Sequence, residues 1–333
     1  MTTADSLGPV LELPDVLVCG VGGALGEAWM RGLLNGAADA TALDFRRCEH
    51  FVGSSAGSIV AAVLAAGRRP DAGADAAAAW SDAADAPTAG AGDPADAADA
   101  DAGGLASAAR RAAAGTAAGG LARTATRIAA RGGGAAIAPV VPLALAAARP
   151  GGALVRAAAL RAVPRGRQSL DGLGGIVERL HPHFDGRLRI AAVDRLSGRR
   201  VIFGAPGAPR AAVRDAVLAS CAVPAVFAPV RIAGREYVDG GVWSPTNLDA
   251  APATRGSRVL CLAPTAASRA LRAPTAAAVS TETLALRARG AEVRVIRPDA
   301  ASVRAIGGNL MDGRQRAAVL AAGYAQGRRE AAG

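Results

Sequence analysis

The chain has 333 residues, of which 51% are hydrophobic and 20% charged, which provides for one large core and excludes a wholly disordered protein. Its formal net charge is +10, and every basic side chain except the three histidines is an arginine, because no lysine occurs. The lack of lysine excludes a lysine-bearing phosphate loop, a Schiff-base lysine and a Ser-Lys dyad.

The N-terminal residues Met1 to Asp15 carry acids but neither a basic run nor an apolar core. We therefore expect no secretory signal, and we interpret residues 1–13 as a tail before a domain that spans 14–333. The four cysteines are widely spaced and form no CxxC pair, which predicts buried, reduced thiols. These are Cys19, Cys48, Cys221 and Cys261.

Two strand-turn-helix units open the domain. Val16 to Cys19 is an apolar run that ends in a glycine-rich turn and precedes a helix-like segment from Glu27 to Leu34. His50 to Val52 is a second short apolar strand, and Ser58 to Ala66 is the helix predicted after it. Two such units in succession predict neighbouring parallel strands whose turns meet at one edge of the sheet.

Residues 70–170 differ in composition from the rest of the chain. Their charges are all acidic from Asp71 to Asp101 and all basic from Gly103 to Leu170, and alanine and glycine dominate throughout. We predict a largely helical insertion that serves as a lid or as a membrane-facing flap. The basic part contains no Phe, Tyr or Trp on which bases could stack, so we do not expect a nucleic-acid partner.

Membrane contact of this insertion is one of two interpretations. Apolar residues alternate with arginines from Arg149 to Arg167, which favours a surface for anionic headgroups, whereas a solvated flap explains the same composition. The longest apolar stretch, Ala135 to Ala148, contains two prolines and is shorter than the roughly 20 residues that cross a bilayer. We therefore expect a cytoplasmic protein, soluble or peripheral to the inner face of a membrane.

Regular structure resumes after the insertion. The predicted helices are Leu173 to Leu180, Arg210 to Ser220 and Arg314 to Arg329, and the predicted strands are Leu188 to Val193, Arg200 to Phe203, Val230 to Ile232, Glu236 to Val238, Arg258 to Leu262 and Glu292 to Ile296. The alternation of strands and helices indicates a layered α/β domain.

The sequence Gly-Ser-Ser-Ala-Gly at 53–57 has the GxSxG spacing of a nucleophile elbow. Ser55 is the candidate nucleophile, and Gly53 and Gly57 are the small neighbours that a tight strand-to-helix turn requires. Backbone amides at Gly22, Gly23 and Ala24 are the candidate oxyanion hole. A dinucleotide fingerprint in the same turn fails on spacing, because its third glycine would fall at Leu25.

The base that activates Ser55 is less evident. The only histidines are His50, His181 and His183, all before Asp239. A Ser-His-Asp triad built from Asp171 and His181 or His183 is one alternative. A metal site at these histidines has too few ligands. Asp239, in Asp-Gly-Gly at 239–241, is the leading base candidate, and a hairpin-ending turn is the competing interpretation.

Three motifs together resemble the patatin-like phospholipase family, most of all its bacterial members. They are the glycine turn with GxSxG, the segment 220–229 (Ser-Cys-Ala-Val-Pro-Ala-Val-Phe-Ala-Pro), and Asp239-Gly240-Gly241 with Pro245 and Asn247 following. The resemblance covers both sides of the insertion. It implies a three-layer α/β/α fold with a mainly parallel central sheet.

The resemblance also implies a chemistry. Ser55 would be the nucleophile of a Ser-Asp dyad, Asp239 its base, and the Gly22-Gly23 turn the oxyanion hole. The implied substrates are phospholipids, lysophospholipids or neutral acyl esters, with no metal or other cofactor. Leu25 departs from the arginine or lysine of many members, and Val21 departs from their first glycine. A non-catalytic lipid-binding relative is therefore the alternative.

Overall fold

A computed structural model describes residues 11–85 and 152–332, and within them eight strands form one sheet. The strands are β1 Val16–Cys19, β2 His50–Ser54, β3 Leu188–Asp194, β4 Arg200–Phe203, β5 Val230–Ile232, β6 Arg235–Asp239, β7 Arg258–Leu262 and β8 Glu292–Ile296. Their order is β5-β6-β3-β2-β1-β7-β8, and β4 pairs with β3. β1, β2, β3, β7 and β8 run parallel, whereas β4, β5 and β6 pair antiparallel.

Helices cover both faces of this sheet. Those in the described residues are α1 Gly23–Thr41, α2 Ala56–Ala65, α3 Ala74–Asp85, α4 Gly152–Ala162, α5 Asp171–Arg179, α6 Val213–Cys221, α7 Arg269–Ala288, α8 Ala300–Ile306 and α9 Arg316–Ala332. None of them combines the length and the apolar character needed to cross a bilayer. Every strand lies where the sequence predicted one. The observed bounds of the predicted helices differ from the expected bounds, most of all for α1.

Alternate residues of the central strands enter different cores. Leu17 and Phe51 point into the larger core beneath α1 and α2, whereas Val16, Val18 and Val52 point into a second core beneath α7. Both faces of β1 and β2 are therefore buried, which is why these strands are continuous apolar runs. The predicted three-layer α/β fold with a mainly parallel sheet is confirmed.

The pairing of β3 brings β6 to the end of β2. β2 pairs with residues 188–191 of β3, β4 pairs with 190–193, and β6 pairs with 192–194. Since a strand has only two edges, these overlaps place β2 and β6 on the same edge of β3. β6 therefore continues the edge that β2 leaves, and the last residue of β6 lies beside the turn that follows β2.

Helices α1 and α9 pack with their backbones in contact. A Cβ atom on Gly36 would lie 2.1 Å from the carbonyl oxygen of Tyr324, and one on Gly327 would lie 2.0 Å from that of Leu33. Gly32 and Gly323 are equally close to the opposite backbone. Two Gly-x-x-x-Gly pairs, one in each helix, thus allow the C-terminal helix to lie directly on α1.

The predicted insertion bounds of 70–170 are too wide. Trp80 of α3 is fully buried in the large core. Leu160 of α4 is buried in a smaller cluster with Val193, Val238 and Val242. Gln168 exchanges backbone hydrogen bonds with Val226 and Ala228. Residues 70–85 and 152–170 therefore belong to the packed domain, and the rest of the predicted insertion, 86–151, lies outside the described residues.

Two further predictions concern the N-terminus and the thiols. Leu11 is buried in the large core, so the tail predicted as 1–13 ends earlier than expected, and residues 1–10 lie outside the described part. All four cysteines are free and buried, as predicted.

Candidate active site

Ser55 lies in a strained turn between β2 and α2. Its backbone angles are φ 53° and ψ −123°, a conformation that an L residue adopts only when its surroundings enforce it. A Cβ atom on Gly57 would lie 1.9 Å from the carbonyl oxygen of Cys19, and one on Gly53 would lie 2.5 Å from the Cα of Ser58. The elbow therefore requires glycine on both sides of Ser55, for the steric reason on which the motif was predicted.

Hydrogen bonds between Ser55 and two other serines, Ser58 and Ser220, fix the elbow. The amide of Ser55 donates to Ser220 Oγ at 2.8 Å, and Ser220 Oγ donates to the carbonyl oxygen of Ala191 at 2.7 Å. Ser58 Oγ donates to the carbonyl oxygen of Ser55 at 2.7 Å. Ser220, at the end of α6, thus connects the elbow to β3. The sequence marked its segment as part of the resemblance but gave no sign of this contact.

Asp239 ends β6, directly opposite Ser55. Ser55 Oγ donates to Asp239 Oδ2 at 2.6 Å, and the amide of Gly241 donates to Asp239 Oδ1 at 2.6 Å. The side chains are buried, with Ser55 1% and Asp239 0% exposed. Burial raises the pKa of Asp239 from 3.8 to about 7, against the opposing effect of the two hydrogen bonds. A carboxylate with such a pKa can accept a proton near neutral pH.

The loop after Asp239 is held against the elbow by Asn247. Asn247 Nδ2 donates to Ser54 Oγ at 3.0 Å, to the carbonyl oxygen of Gly240 at 3.2 Å and to that of Ser244 at 2.9 Å. Its φ of 50° is left-handed, a region that asparagine tolerates better than most residues. One amide group thereby joins the loop to the end of β2, next to Ser55.

A buried carboxylate on α7 organises the same loop. Glu282 is 2% exposed and accepts hydrogen bonds from Ser244 Oγ at 2.6 Å, Thr246 Oγ1 at 2.7 Å and the amide of Leu248 at 2.9 Å. The sequence gives no sign of a role for Glu282, because it stands among other polar residues and far from every motif. Its position opposite the loop follows only from the three-dimensional packing of α7.

The predicted oxyanion turn begins α1 at the same edge of the sheet. Gly22, Gly23 and Ala24 make no backbone hydrogen bond through their amides within the described residues. They lie at the N-terminus of α1, where unpaired amides and the helix dipole favour negative charge. The amide of Leu25 instead donates to Leu310 at 2.9 Å, and the Leu25 side chain is fully buried. Three amides are therefore available, and Leu25 supplies neither a cation nor a fourth donor.

This turn also contacts the Asp239 loop. The amide of Val21 donates to the carbonyl oxygen of Pro245 at 2.8 Å, and a Cβ atom on Gly20 would lie 2.9 Å from that same oxygen. Cys19, which precedes the turn, touches Gly57 of the elbow. The turn, the elbow and the aspartate loop therefore converge at the carboxyl ends of β1 and β2, although they are distant in sequence.

The histidines do not join this site. His181 and His183 are exposed, and the Nδ1 atom of each lies within hydrogen-bond distance of a nearby backbone carbonyl. Both precede the amino end of β3, at the sheet edge opposite Ser55. Asp171 accepts a hydrogen bond from Ser169 at the start of α5. The alternative triad of Ser55, Asp171 and either histidine is therefore wrong.

Comparison with known proteins gives one family match. A family model described as patatin-like phospholipase matches residues 17–252, which include the turn, the elbow and the aspartate loop. No curated protein matches the chain. Among solved structures, the chain is similar to the crystal structure of VipD from Legionella pneumophila, with 14% identity and a TM-score of 0.44 over 97% of this chain and 67% of that one.

Proposed function

Because the chain belongs to the patatin-like phospholipase family, a family of lipid acyl hydrolases, we propose that it cleaves carboxylic esters of lipids through Ser55 and Asp239. Its substrates are phospholipids, lysophospholipids or neutral acyl esters. The observation that carries this proposal is the 2.6 Å hydrogen bond from Ser55 Oγ to Asp239 Oδ2 in a buried, strained elbow. A strained backbone of this kind costs about 1–3 kcal/mol and is concentrated at functional sites.

Acylation begins with proton transfer from Ser55 to Asp239. As the Ser55 oxygen attacks the ester carbonyl carbon, Asp239 Oδ2 accepts the hydroxyl proton, and negative charge develops on the carbonyl oxygen. The free amides of Gly22, Gly23 and Ala24 are the donors proposed for that charge. Collapse of the tetrahedral intermediate breaks the bond to the alcohol, which takes the proton from Asp239 and leaves Ser55 acylated.

Deacylation repeats the sequence with water. Asp239 accepts a proton from a water molecule, whose oxygen attacks the acyl carbon, and the proton returns to Ser55 as the fatty acid leaves. A pKa of about 7 suits both halves of the cycle, because the carboxyl group must gain and lose one proton in each half. The 1% exposure of Ser55 means that neighbouring side chains must move before an ester reaches it.

Labelling with a fluorophosphonate, which reacts with activated serines, tests this proposal together with hydrolysis of a long-chain acyl ester. We expect labelling and hydrolysis in the wild type, neither in Ser55→Ala, and strongly reduced rates in Asp239→Asn. Ser280→Ala is the control, because Ser280 is an exposed serine of α7 that takes no part in the contacts of this site. A wild type that neither labels nor hydrolyses would favour the non-catalytic lipid-binding alternative.

A further inference from the structure

Two segments of the chain extend beyond the carboxyl end of β2, where Ser55 lies. β2 ends at Ser54, which is aligned with Ala191, and β3 continues for three more residues to Asp194, about 10 Å further on. The turn between β3 and β4 and the start of β6 therefore project past the elbow on its own side of the molecule. α4 packs on this turn, since Arg161 donates to the carbonyl oxygen of Leu196.

Arginines from three elements gather there around one carboxylate. Glu236 forms ion pairs with Arg165 at 3.0 Å, with Arg195 at 3.5 Å and with Arg231 at 3.6 Å. Burial, and after it repulsion from Arg165, lowers the pKa of Arg195. Arg161 also lies near Arg195, and the neighbouring Asp194 is paired with Arg235. Four arginines therefore share one carboxylate and leave a net positive charge, which Arg165 and Arg231 expose at 59% and 74%, whereas the Arg195 side chain is only 12% exposed. We name Arg161, Arg165, Arg195, Arg231 and Glu236 the arginine cluster.

Exposed apolar side chains adjoin the arginine cluster. Three large hydrophobic residues are exposed within the described residues, and two of them are Leu196 of the β3–β4 turn, at 53%, and Leu154 of α4, at 84%. α4 lies against that turn, because a Cβ atom on Gly198 would meet the carbonyl oxygen of Ala153 at 2.3 Å. Exposed leucines next to clustered arginines are typical of surfaces that lie on anionic membranes.

The surface differs from the one expected between Arg149 and Arg167. Arg156 is 1% exposed, donates to the carbonyl oxygen of Gly198 at 2.9 Å and stacks 4.3 Å from the ring centre of Trp243, so it anchors α4 and cannot reach a headgroup. Leu160 is also buried, and Arg149 lies outside the described residues. Arg195 of the β3–β4 turn and Arg231 of β5 were not expected to contribute.

We infer that the arginine cluster, with Leu154 and Leu196, docks the enzyme on an anionic phospholipid surface so that the edge bearing Ser55 faces the lipid. The inference rests on the proposed function, because it supplies the orientation in which a membrane lipid reaches Ser55. Charge complementarity selects the occupant: an excess of arginines attracts acidic headgroups, and the adjacent leucines enter the headgroup boundary.

Charge reversal at two exposed arginines tests the inference. We expect the variant Arg165→Glu with Arg231→Glu to keep its fold, because these side chains are 59% and 74% exposed and Arg195 remains as a partner of Glu236. The matched control is Arg255→Glu with Arg289→Glu, which changes the net charge equally. Both control residues are exposed and lie at the amino ends of β7 and β8, the opposite edge of the sheet.

Sedimentation with phosphatidylglycerol vesicles, and with phosphatidylcholine vesicles for comparison, measures the docking. We expect the wild type and the control to bind phosphatidylglycerol only, and the Arg165/Arg231 variant to bind at least about tenfold more weakly. Raising the salt from about 0.1 M to about 1 M, which shortens the Debye length from about 10 Å to about 3 Å, should release the wild type. The Arg165/Arg231 variant should still hydrolyse a water-soluble short-chain ester.

Three results would overturn the docking surface: equal binding to both kinds of vesicle, undiminished binding of the Arg165/Arg231 variant, or equal losses in the control. Binding of an RNA oligonucleotide in place of vesicles would overturn it as well. Failure of the proposed function has a different signature. Wild type that binds phosphatidylglycerol but does not react with a fluorophosphonate would contradict the dyad and leave the docking surface intact.

Discussion

Ser55 and Asp239 are separated by 184 positions in the chain, and yet the hydroxyl of one donates to the carboxylate of the other at 2.6 Å. The sheet produces this contact, because β6 takes up the edge of β3 that β2 leaves at the elbow. Each partner is fixed separately, Ser55 through Ser220 and Asp239 through Gly241. The pair is therefore preorganised in the protein without a substrate.

Activity should depend on the ionisation of Asp239. Burial raises its pKa to about 7, so the carboxylate that accepts the serine proton disappears as the pH falls below that value. We expect kcat/KM for a soluble ester to fall about tenfold per pH unit below pH 7. Asp239→Asn should be slow at every pH and show no such titration. A wild-type profile that stays flat down to about pH 4 would contradict the assignment of Asp239 as base.

Stability should respond to pH in the opposite sense. Between its usual pKa of 3.8 and its raised value of about 7, folded Asp239 retains a proton that the unfolded chain releases. The contribution of Asp239 to the free energy of unfolding therefore falls as the pH rises through this window. Glu27, whose pKa burial raises to about 7, adds to the same slope. Asp239→Asn should remove part of it and be more stable than the wild type at pH 8, as denaturant unfolding at several pH values would reveal.

Gly57→Ala should damage both the fold and the elbow. The added methyl group would lie 1.9 Å from the carbonyl oxygen of Cys19, so β1 and α2 must separate. We expect a loss of about 2 kcal/mol or more in denaturant unfolding, and a loss of hydrolysis in the remaining folded protein. Gly308→Ala is the control, because nothing lies within 4 Å of its added Cβ and its φ is not left-handed. Wild-type stability in Gly57→Ala would refute the predicted steric conflict.

Glu282 should stabilise the aspartate loop through its hydrogen bonds. Glu282→Ala leaves the hydroxyls of Ser244 and Thr246 and the amide of Leu248 without this acceptor, and should cost at least about 3 kcal/mol in thermal unfolding. Glu282→Gln retains one oxygen acceptor and should lose about 1–2 kcal/mol and much less activity. The exposed Glu292, changed to Ala, should alter stability by less than about 0.5 kcal/mol. Equal effects of Ala and Gln at position 282 would show that the carboxylate does not organise the loop.

The contact between α1 and α9 predicts a stability effect remote from the chemistry. Gly36→Ala and Gly327→Ala each place a methyl group about 2 Å from a carbonyl oxygen of the facing helix. We expect each to lower the free energy of unfolding by about 1–3 kcal/mol, with an unchanged rate per folded molecule. Neutral effects of both variants would mean that the helices lie further apart than described here.

The elements that the sequence predicted well are those whose local pattern suffices. Val16 to Cys19 and His50 to Val52 are apolar because both faces of these strands are buried, and the glycines of the elbow are required by contacts a few residues away or across one strand. The proximity of Ser55 and Asp239 was predicted from the order of the motifs and from the resemblance. No local pattern would have paired them.

The elements that the sequence did not predict depend on long-range packing. Trp80 and Arg156 lie in alanine-rich segments whose composition suggested an insertion, but Trp80 fills the core and Arg156 stacks on Trp243. The two Gly-x-x-x-Gly pairs were overlooked because glycine is frequent throughout the chain, at 42 residues. Glu282 carries no motif at all, and its role depends on where α7 crosses the loop.

The position of the adduct formed by a fluorophosphonate is the most direct measure of the central claim. Peptide mass spectrometry of the labelled wild type should place a single phosphonyl group on Ser55, in competition with the nearby hydroxyls of Ser54 and Ser58. Asp239→Asn should greatly slow formation of the same adduct. An adduct on a different residue, or labelling of Ser55 at an equal rate without the Asp239 carboxylate, would contradict the Ser55–Asp239 dyad.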